Sequence, residues 1–163
     1  MKEYTLLMLA HMLGNEEEII FAATDLLADT KLAPELSNEA HYYRAKAYLD
    51  AGKTDGAMED LKILAKDTRN VYGAEAKYKV AQIYFDGGQT DKAEQEVLNY
   101  IEVSTPHTYW LARSFVLLAD VYMKLGRNLD AKQYLLSLKQ NYQADDDIAG
   151  MIESRLEKLK TEN

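Results

Sequence analysis

Four glycines, Gly14, Gly52, Gly88 and Gly126, divide the chain at near-equal intervals: 52−14 = 38, 88−52 = 36 and 126−88 = 38. A recurrence of this length restricts the chain to tandem copies of one small unit, because a single copy cannot bury its own apolar face and must lean on the next. The flanking residues keep register with the glycines. Seven positions before them stand Leu7, Ala45, Ala81 and Ala119, and four before stand Ala10, Tyr48, Tyr84 and Tyr122. Five positions after come Ile19, Ala57, Ala93 and Ala131; nine after come Ala23, Leu61, Val97 and Leu135; twelve after come Leu26, Leu64, Tyr100 and Leu138. Small residues recur where two helices must approach closely, and larger apolar residues where the space between them must be filled.

On both sides of each glycine the apolar spacing is three and four residues, the helical period. Each unit therefore reads as helix A, a glycine turn and helix B, with the glycine in a left-handed cap that a Cβ would disfavour. Two residues after the glycines stand Glu16, Thr54, Thr90 and Asn128, three of which are good N-caps for helix B. Pro34 and Pro106 fall near the starts of later A helices, where a missing N–H costs little. The spacing predicts helices over 2–13, 16–29, 35–51, 54–67, 71–87, 90–104, 107–125, 128–141 and 146–160. They group into units of about 1–31, 35–69, 71–105 and 107–141, followed by a helix over 146–160 with a single apolar stripe of Ile148, Met151, Ile152, Leu156 and Leu159. That last helix suits a cap over the final unit, and Asp145, Asp146 and Asp147 at its start suit the helix dipole.

Composition supports an all-α fold in one domain: hydrophobic residues are 47 % of 163, with only two prolines and eight glycines to interrupt helices. A net charge of −8 argues against nucleic acid or an anionic membrane as the main partner. The absence of cysteine excludes disulfides, thiolate nucleophiles and cysteine-based zinc sites. The apolar run Leu6–Leu13 is broken by His11 and flanked by Glu3 and Glu16–Glu18, with no small-residue cleavage site, which is unlike a secretory signal. No run approaches the length of a membrane span.

The pattern resembles the tetratricopeptide repeat, whose units carry a small residue, a tyrosine three later, then an alanine and a large apolar residue four beyond it. The matching sets are Ala45/Tyr48/Ala57/Leu61, Ala81/Tyr84/Ala93/Val97 and Ala119/Tyr122/Ala131/Leu135, with Leu7/Ala10/Ile19/Ala23 a degenerate first copy. The resemblance covers about residues 1–141 and implies an α-α superhelix, a solenoid of antiparallel helix pairs closed by a C-terminal capping helix. The period exceeds the family's usual length of about 34 residues, and the family's tryptophan near the start of helix A is replaced by Glu3, His41, Lys77 and Ser114. The tail and spacing resemble the C-terminal end of long bacterial repeat proteins of this family, some of them associated with the cell envelope. Because Met1 falls inside the first A helix, the chain reads as an excised piece of a longer repeat protein.

The resemblance also implies a site. In the family the A helices line a concave groove, and carrying those positions over gives an aromatic series, Tyr4, Tyr42, Tyr78 and Phe115, about ten residues ahead of the glycines. Three before the glycines come His11, Leu49, Phe85 and Met123, and six before come Met8, Lys46, Gln82 and Asp120. The candidate peptide groove is thus Tyr4, Tyr42, Lys46, Leu49, Tyr78, Gln82, Phe85, Phe115 and Met123. Aromatic anchors of this kind suit an extended or helical peptide, although the same spacing also serves intramolecular packing. With Lys46 its only basic member, the set does not resemble the family's carboxylate clamp.

Catalysis finds little support. His11, His41 and His107 lie in different units without ligand partners at helical spacing, and no metalloprotease, hydrolase or phosphate-loop motif occurs. Asp145–Asp147 lacks the loop pattern of a calcium site. Trp110 suits a seal at the junction before the last full unit better than an exposed anchor. The expectation is a noncatalytic scaffold without cofactor or metal, binding a protein or peptide in the groove. The alternative is a spacer or self-association module of a larger envelope protein, dimerising through apolar surface at Leu6, Leu7 and Ala10 of the first unit.

Overall fold

The computed structural model describes residues 2–103 and 105–161, all of its regular structure helical. Among those residues nine helices follow one another: α1 (Lys2–Leu13), α2 (Glu16–Leu27), α3 (Pro34–Asp50), α4 (Thr54–Leu64), α5 (Val71–Asp86), α6 (Thr90–Glu102), α7 (Thr108–Lys124), α8 (Asn128–Asn141) and α9 (Ile148–Thr161). Odd-numbered α1 to α7 are the A helices and even-numbered α2 to α8 the B helices, with α1 packed on α2, α3 on α4 and α7 on α8. Met1, on which the reading of an excised piece rests, and residue 104, the expected end of the sixth helix, lie outside the described residues.

The four glycines build one turn four times. Their φ angles are 67°, 75°, 80° and 75°, and among the described residues no other takes a positive value. The N–H after each glycine donates to the carbonyl five residues back, as in Lys53 to Tyr48 (2.7 Å), Gln89 to Tyr84 (2.8 Å) and Arg127 to Tyr122 (2.7 Å). Each glycine's own N–H donates three residues back, at 3.0–3.1 Å. This paired bonding satisfies carbonyls that the helix end leaves open.

The cap of helix B lies one residue earlier than the sequence suggests. Thr54, Thr90 and Asn128 are the first helical residues, while Asn15, Lys53, Gln89 and Arg127 occupy the cap. Only Asn15 caps with its side chain, accepting from the Glu18 N–H at 3.1 Å. The glycine turn explains the shift: the residue directly after glycine already offers its carbonyl to the first intrahelical bond, as Lys53 does to the Ala57 N–H at 3.2 Å, so three of the four B helices start without a side-chain cap. Pro34 opens α3 as expected, whereas Pro106 lies in the turn two residues ahead of α7.

Three B helices end early; α6 stops at Glu102, with Val103 in an extended conformation. α2 stops at Leu27, and the Asp29 carboxylate then accepts from the Lys31 N–H at 2.9 Å. α4 stops at Leu64, and Asn70 caps α5 by accepting from the Gly73 N–H at 2.8 Å. Gly73 is a contact the repeat pattern does not announce: a Cβ there would lie 1.8 Å from the Asp67 carbonyl oxygen and 2.6 Å from that of Leu64. α9 begins at Ile148 rather than 146, because the Asp146 side chain accepts from the Ile148 N–H at 2.9 Å and holds the chain in a turn.

The chain divides into two compact units, one through Ala76 and one from Lys77, with the boundary inside α5. In the first, Leu7, Ala10, Ile19, Ala22, Ala23, Leu26, Ala40 and Ala47 form a buried cluster. In the second, buried Val80, Val97, Tyr100, Leu117, Leu118, Val121 and Leu135 are joined by Ile148 and Ile152 from α9, which packs on α7 and α8. The register read from the glycines predicts burial: the residues seven before and five, nine and twelve after are all buried in all four copies. Tyr100 takes the place filled elsewhere by leucine and is fully buried. No helix is long and apolar enough to cross a membrane among the described residues.

Candidate functional site

In the first unit the A helices bring four tyrosines together. Tyr42 packs its ring 4.7 Å from that of Tyr72 and 5.5 Å from that of Tyr43, and its hydroxyl donates to both Glu75 carboxylate oxygens at 3.1 Å. Burial, with the Glu75 carboxylate second, pushes the Tyr42 phenol well above its ordinary value. Glu39 stands amid the remaining three. Its carboxylate, ahead of burial, raises the Tyr4 phenol, and it adds to the effect of burial at Tyr43 and Tyr72. All four tyrosines are half-buried. Tyr43 also packs at a tilt against His11, ring centroids 4.4 Å apart, and the Lys46 ammonium lies 5.5 Å from the Tyr42 ring centroid.

In the second unit the candidate residues fall into two places. Tyr78 is 6 % exposed and packs on Trp110 at 5.7 Å; its hydroxyl donates to Gln82 at 2.8 Å and accepts from Arg113 at 3.0 Å. The Arg113 guanidinium also lies over Tyr109 and Trp110, so Trp110 is packed against its own unit. Phe85 and Met123 line a separate open depression of about 480 Å³ with Lys124, Arg155 and Lys158. Asp120, at its edge, is taken by α9: Arg155 donates to its two oxygens at 2.7 and 3.0 Å. Leu49, on α3, is half-buried.

Phe115 belongs elsewhere. It stands 126−115 = 11 residues before its glycine; Val116 holds the register position of Tyr4, Tyr42 and Tyr78, and is buried. The position eleven before pairs with the position eight after, across helices A and B. Phe115 meets Tyr134 at 6.1 Å, Lys77 meets Glu96 at 3.0 Å, and His41 meets Asp60 at 2.7 Å. Asp60 is the charged member of the first unit's interior, 1 % exposed, and Arg44 donates to both its oxygens at 2.7 and 2.9 Å. Burial acts to raise the Asp60 pKa, but the hydrogen bonds from His41 and Arg44 outweigh it and hold the carboxyl below its usual range. Sequence reasoning missed this network, since one aspartate at one position of one unit leaves no repeat signal.

It also missed Glu39, Glu75 and Arg113, which stand thirteen residues before their glycines (52−39, 88−75 and 126−113). Tyr72 and Trp110 stand sixteen before theirs (88−72 and 126−110). Aligning those two columns, rather than only the apolar ones, exposes them. On the other side of the first pair, Leu6, Leu9, Leu13 and Phe21 line an apolar hollow of about 230 Å³ rimmed by Glu3, Glu18 and Asp25. Leu13 and Phe21 are 74 % and 73 % exposed; of the residues expected at this surface, Leu6 and Ala10 line the hollow, Ala10 at its nearly buried floor, whereas Leu7 is fully buried in the cluster shared with α2 and α3. Among the described residues no group of three or more His, Asp or Glu side chains is placed to hold a metal ion.

The tetratricopeptide repeat family model matches residues 39–67, most of α3 and all of α4. A crystal structure of MamA is similar with a TM-score of 0.61 and 22 % identity, covering 94 % of this chain and 94 % of that one. Two crystal structures of nearly identical TPR-like repeats from Podosopora anserina are similar at TM-scores of 0.60 and 0.58, with 16 % identity, covering 98 % of this chain and 92 % of theirs. At these identities the likeness establishes the fold. No curated protein matches the sequence.

Proposed function

We propose that this chain, whose residues 39–67 form a tetratricopeptide repeat, is a noncatalytic scaffold that binds a polypeptide along the face carried by its A helices. Tetratricopeptide-like repeats are generally protein-interaction modules, and stacked helix pairs make extended surfaces more readily than enclosed pockets. The observation that carries the reading is the convergence of Tyr4, Tyr42, Tyr43 and Tyr72 from three A helices, all half-buried. Rigid aromatics give contact area at low entropic cost, as binding anchors require. Phe85 and Met123, at the depression of the second unit, add adaptable apolar surface on its own A helices α5 and α7.

The experiment is selection of peptides from a displayed library against the whole chain, followed by affinity measurement with Tyr42→Ala and Phe85→Ala. Each variant is expected to weaken the selected peptides at least tenfold, about 1.4 kcal/mol, with helicity retained. Unchanged affinity in both contradicts the reading.

A second reading, self-association of the chain, is favoured by one feature: the apolar hollow on the outside of α1 and α2. An exposed apolar surface of this kind marks an interaction site. Light scattering is expected to show mass above that of one chain at high concentration, reversed by Leu13→Glu with Phe21→Glu. A monomer at every concentration removes this reading and leaves the first intact.

A further inference from the structure

The two compact units build one local arrangement with opposite charge. In each, the tyrosine ten residues before one glycine meets the residues sixteen and thirteen before the next. In the second unit these are Tyr78, Trp110 and Arg113: the guanidinium lies 4.9 Å from the Tyr78 ring centroid and 5.8 Å from that of Trp110, and it donates to the Tyr78 hydroxyl at 3.0 Å. In the first unit the same positions hold Tyr42, Tyr72 and Glu75. The two rings are again neighbours, 4.7 Å apart, but the tyrosine hydroxyl now donates to a carboxylate. Glu39, in the same column one unit earlier, adds a second carboxylate, whose Oε2 is buried without a hydrogen-bond partner among the described residues. A buried acceptor left open is costly and calls for a donor.

We infer that the tyrosine–carboxylate cluster of the first unit is a recognition site for an arginine side chain of a bound polypeptide. The inference rests on the reading that the A-helix face binds polypeptide, and it names the chemistry of the bound residue. The chain itself supplies the precedent: where the column holds an arginine, its guanidinium lies over the flanking rings and satisfies their hydroxyls. A planar, weakly hydrated cation with several donors can stack on Tyr72 and donate to Glu39 at once, which a compact ammonium does less well. Lys46 already lies over the Tyr42 ring, so that ring attracts positive charge in the unliganded chain.

The test uses the whole chain and a defined probe, the capped tripeptide of three arginines, titrated by NMR against its citrulline counterpart, which keeps the shape and loses the charge. The arginine probe is expected to shift the ring resonances of Tyr42 and Tyr72 and to bind at least tenfold more tightly than the citrulline probe. Glu39→Gln is expected to weaken it at least fivefold. Glu75→Arg installs the second unit's arrangement in the first, and is expected to fill the site from within and abolish binding while the helical spectrum persists. Equal binding of the two probes overturns the inference, as does binding indifferent to both substitutions. If library-selected peptides depend on Tyr42 yet carry no excess of arginine, the inference falls and the A-face reading stands. If the probe binds as expected but the selected peptides depend on neither Tyr42 nor Phe85, the A-face reading falls and the cluster keeps its preference for an arginine side chain.

Discussion

At the scale of single residues, two glycines separate two kinds of constraint. Gly52 has a φ of 75° and open space where a Cβ would stand, so its only obligation is conformational. Gly52→Ala is expected to cost about 1–2 kcal/mol in denaturant unfolding. Gly73 has an ordinary φ but no room, its missing Cβ falling on the Asp67 and Leu64 carbonyls. Gly73→Ala must displace backbone and is expected to cost about 3 kcal/mol or more; a smaller loss than at Gly52 contradicts this account of the α4–α5 turn. Asp60 sets the behaviour in acid. Its pKa is depressed in the folded state by His41 and Arg44, so protonation favours unfolding. The stabilisation is complete above the ordinary aspartate value near about 4 and is lost as the pH falls through the folded value. Asp60→Asn is expected to flatten stability below that point and lower it at neutral pH. Asp60→Ala, which leaves Arg44 without its carboxylate, is expected to cost about 3–5 kcal/mol.

At the scale of helices, the glycine register explains why the fold was legible. Positions repeated in every copy, such as Ala45, Ala81 and Ala119, report a constraint that every copy shares, and they are buried. What varies between copies gives no such signal. The pairing across helices A and B is histidine with aspartate, lysine with glutamate and phenylalanine with tyrosine in successive units, one geometry in three chemistries. The candidate groove was legible only in part for the same reason. Tyr42 follows from register, but Phe115 is one residue out and faces helix B, while Tyr72 and Glu39 are recognised only after neighbouring units are superposed. The last helix shows how a non-repeating element is fixed. α9 buries Ile148 and Ile152 and binds α7 through Arg155 and Asp120. Arg155→Ala is expected to speed amide hydrogen exchange along α9 more than along α6, since it removes a polar tie and leaves the apolar stripe. Uniform acceleration along both helices contradicts a local role.

At the scale of the whole chain, charge and surface character separate the modes of association. The net charge of −8 is distributed so that carboxylates meet aromatics on the first unit's A face, while the depression of the second carries Lys124, Arg155 and Lys158. The outer hollow of the first helix pair is apolar within an acidic rim. These are three surfaces of different chemistry, and the central claim is that the A face receives the partner. Amide chemical-shift mapping of a selected peptide on the whole chain tests that claim most directly. The account predicts that the shifted residues follow the A helices, with Tyr42, Lys46 and Tyr72 in the first unit and Phe85 and Met123 in the second. Shifts confined to Leu9, Leu13 and Phe21, or running along the outer sides of the B helices, would contradict it.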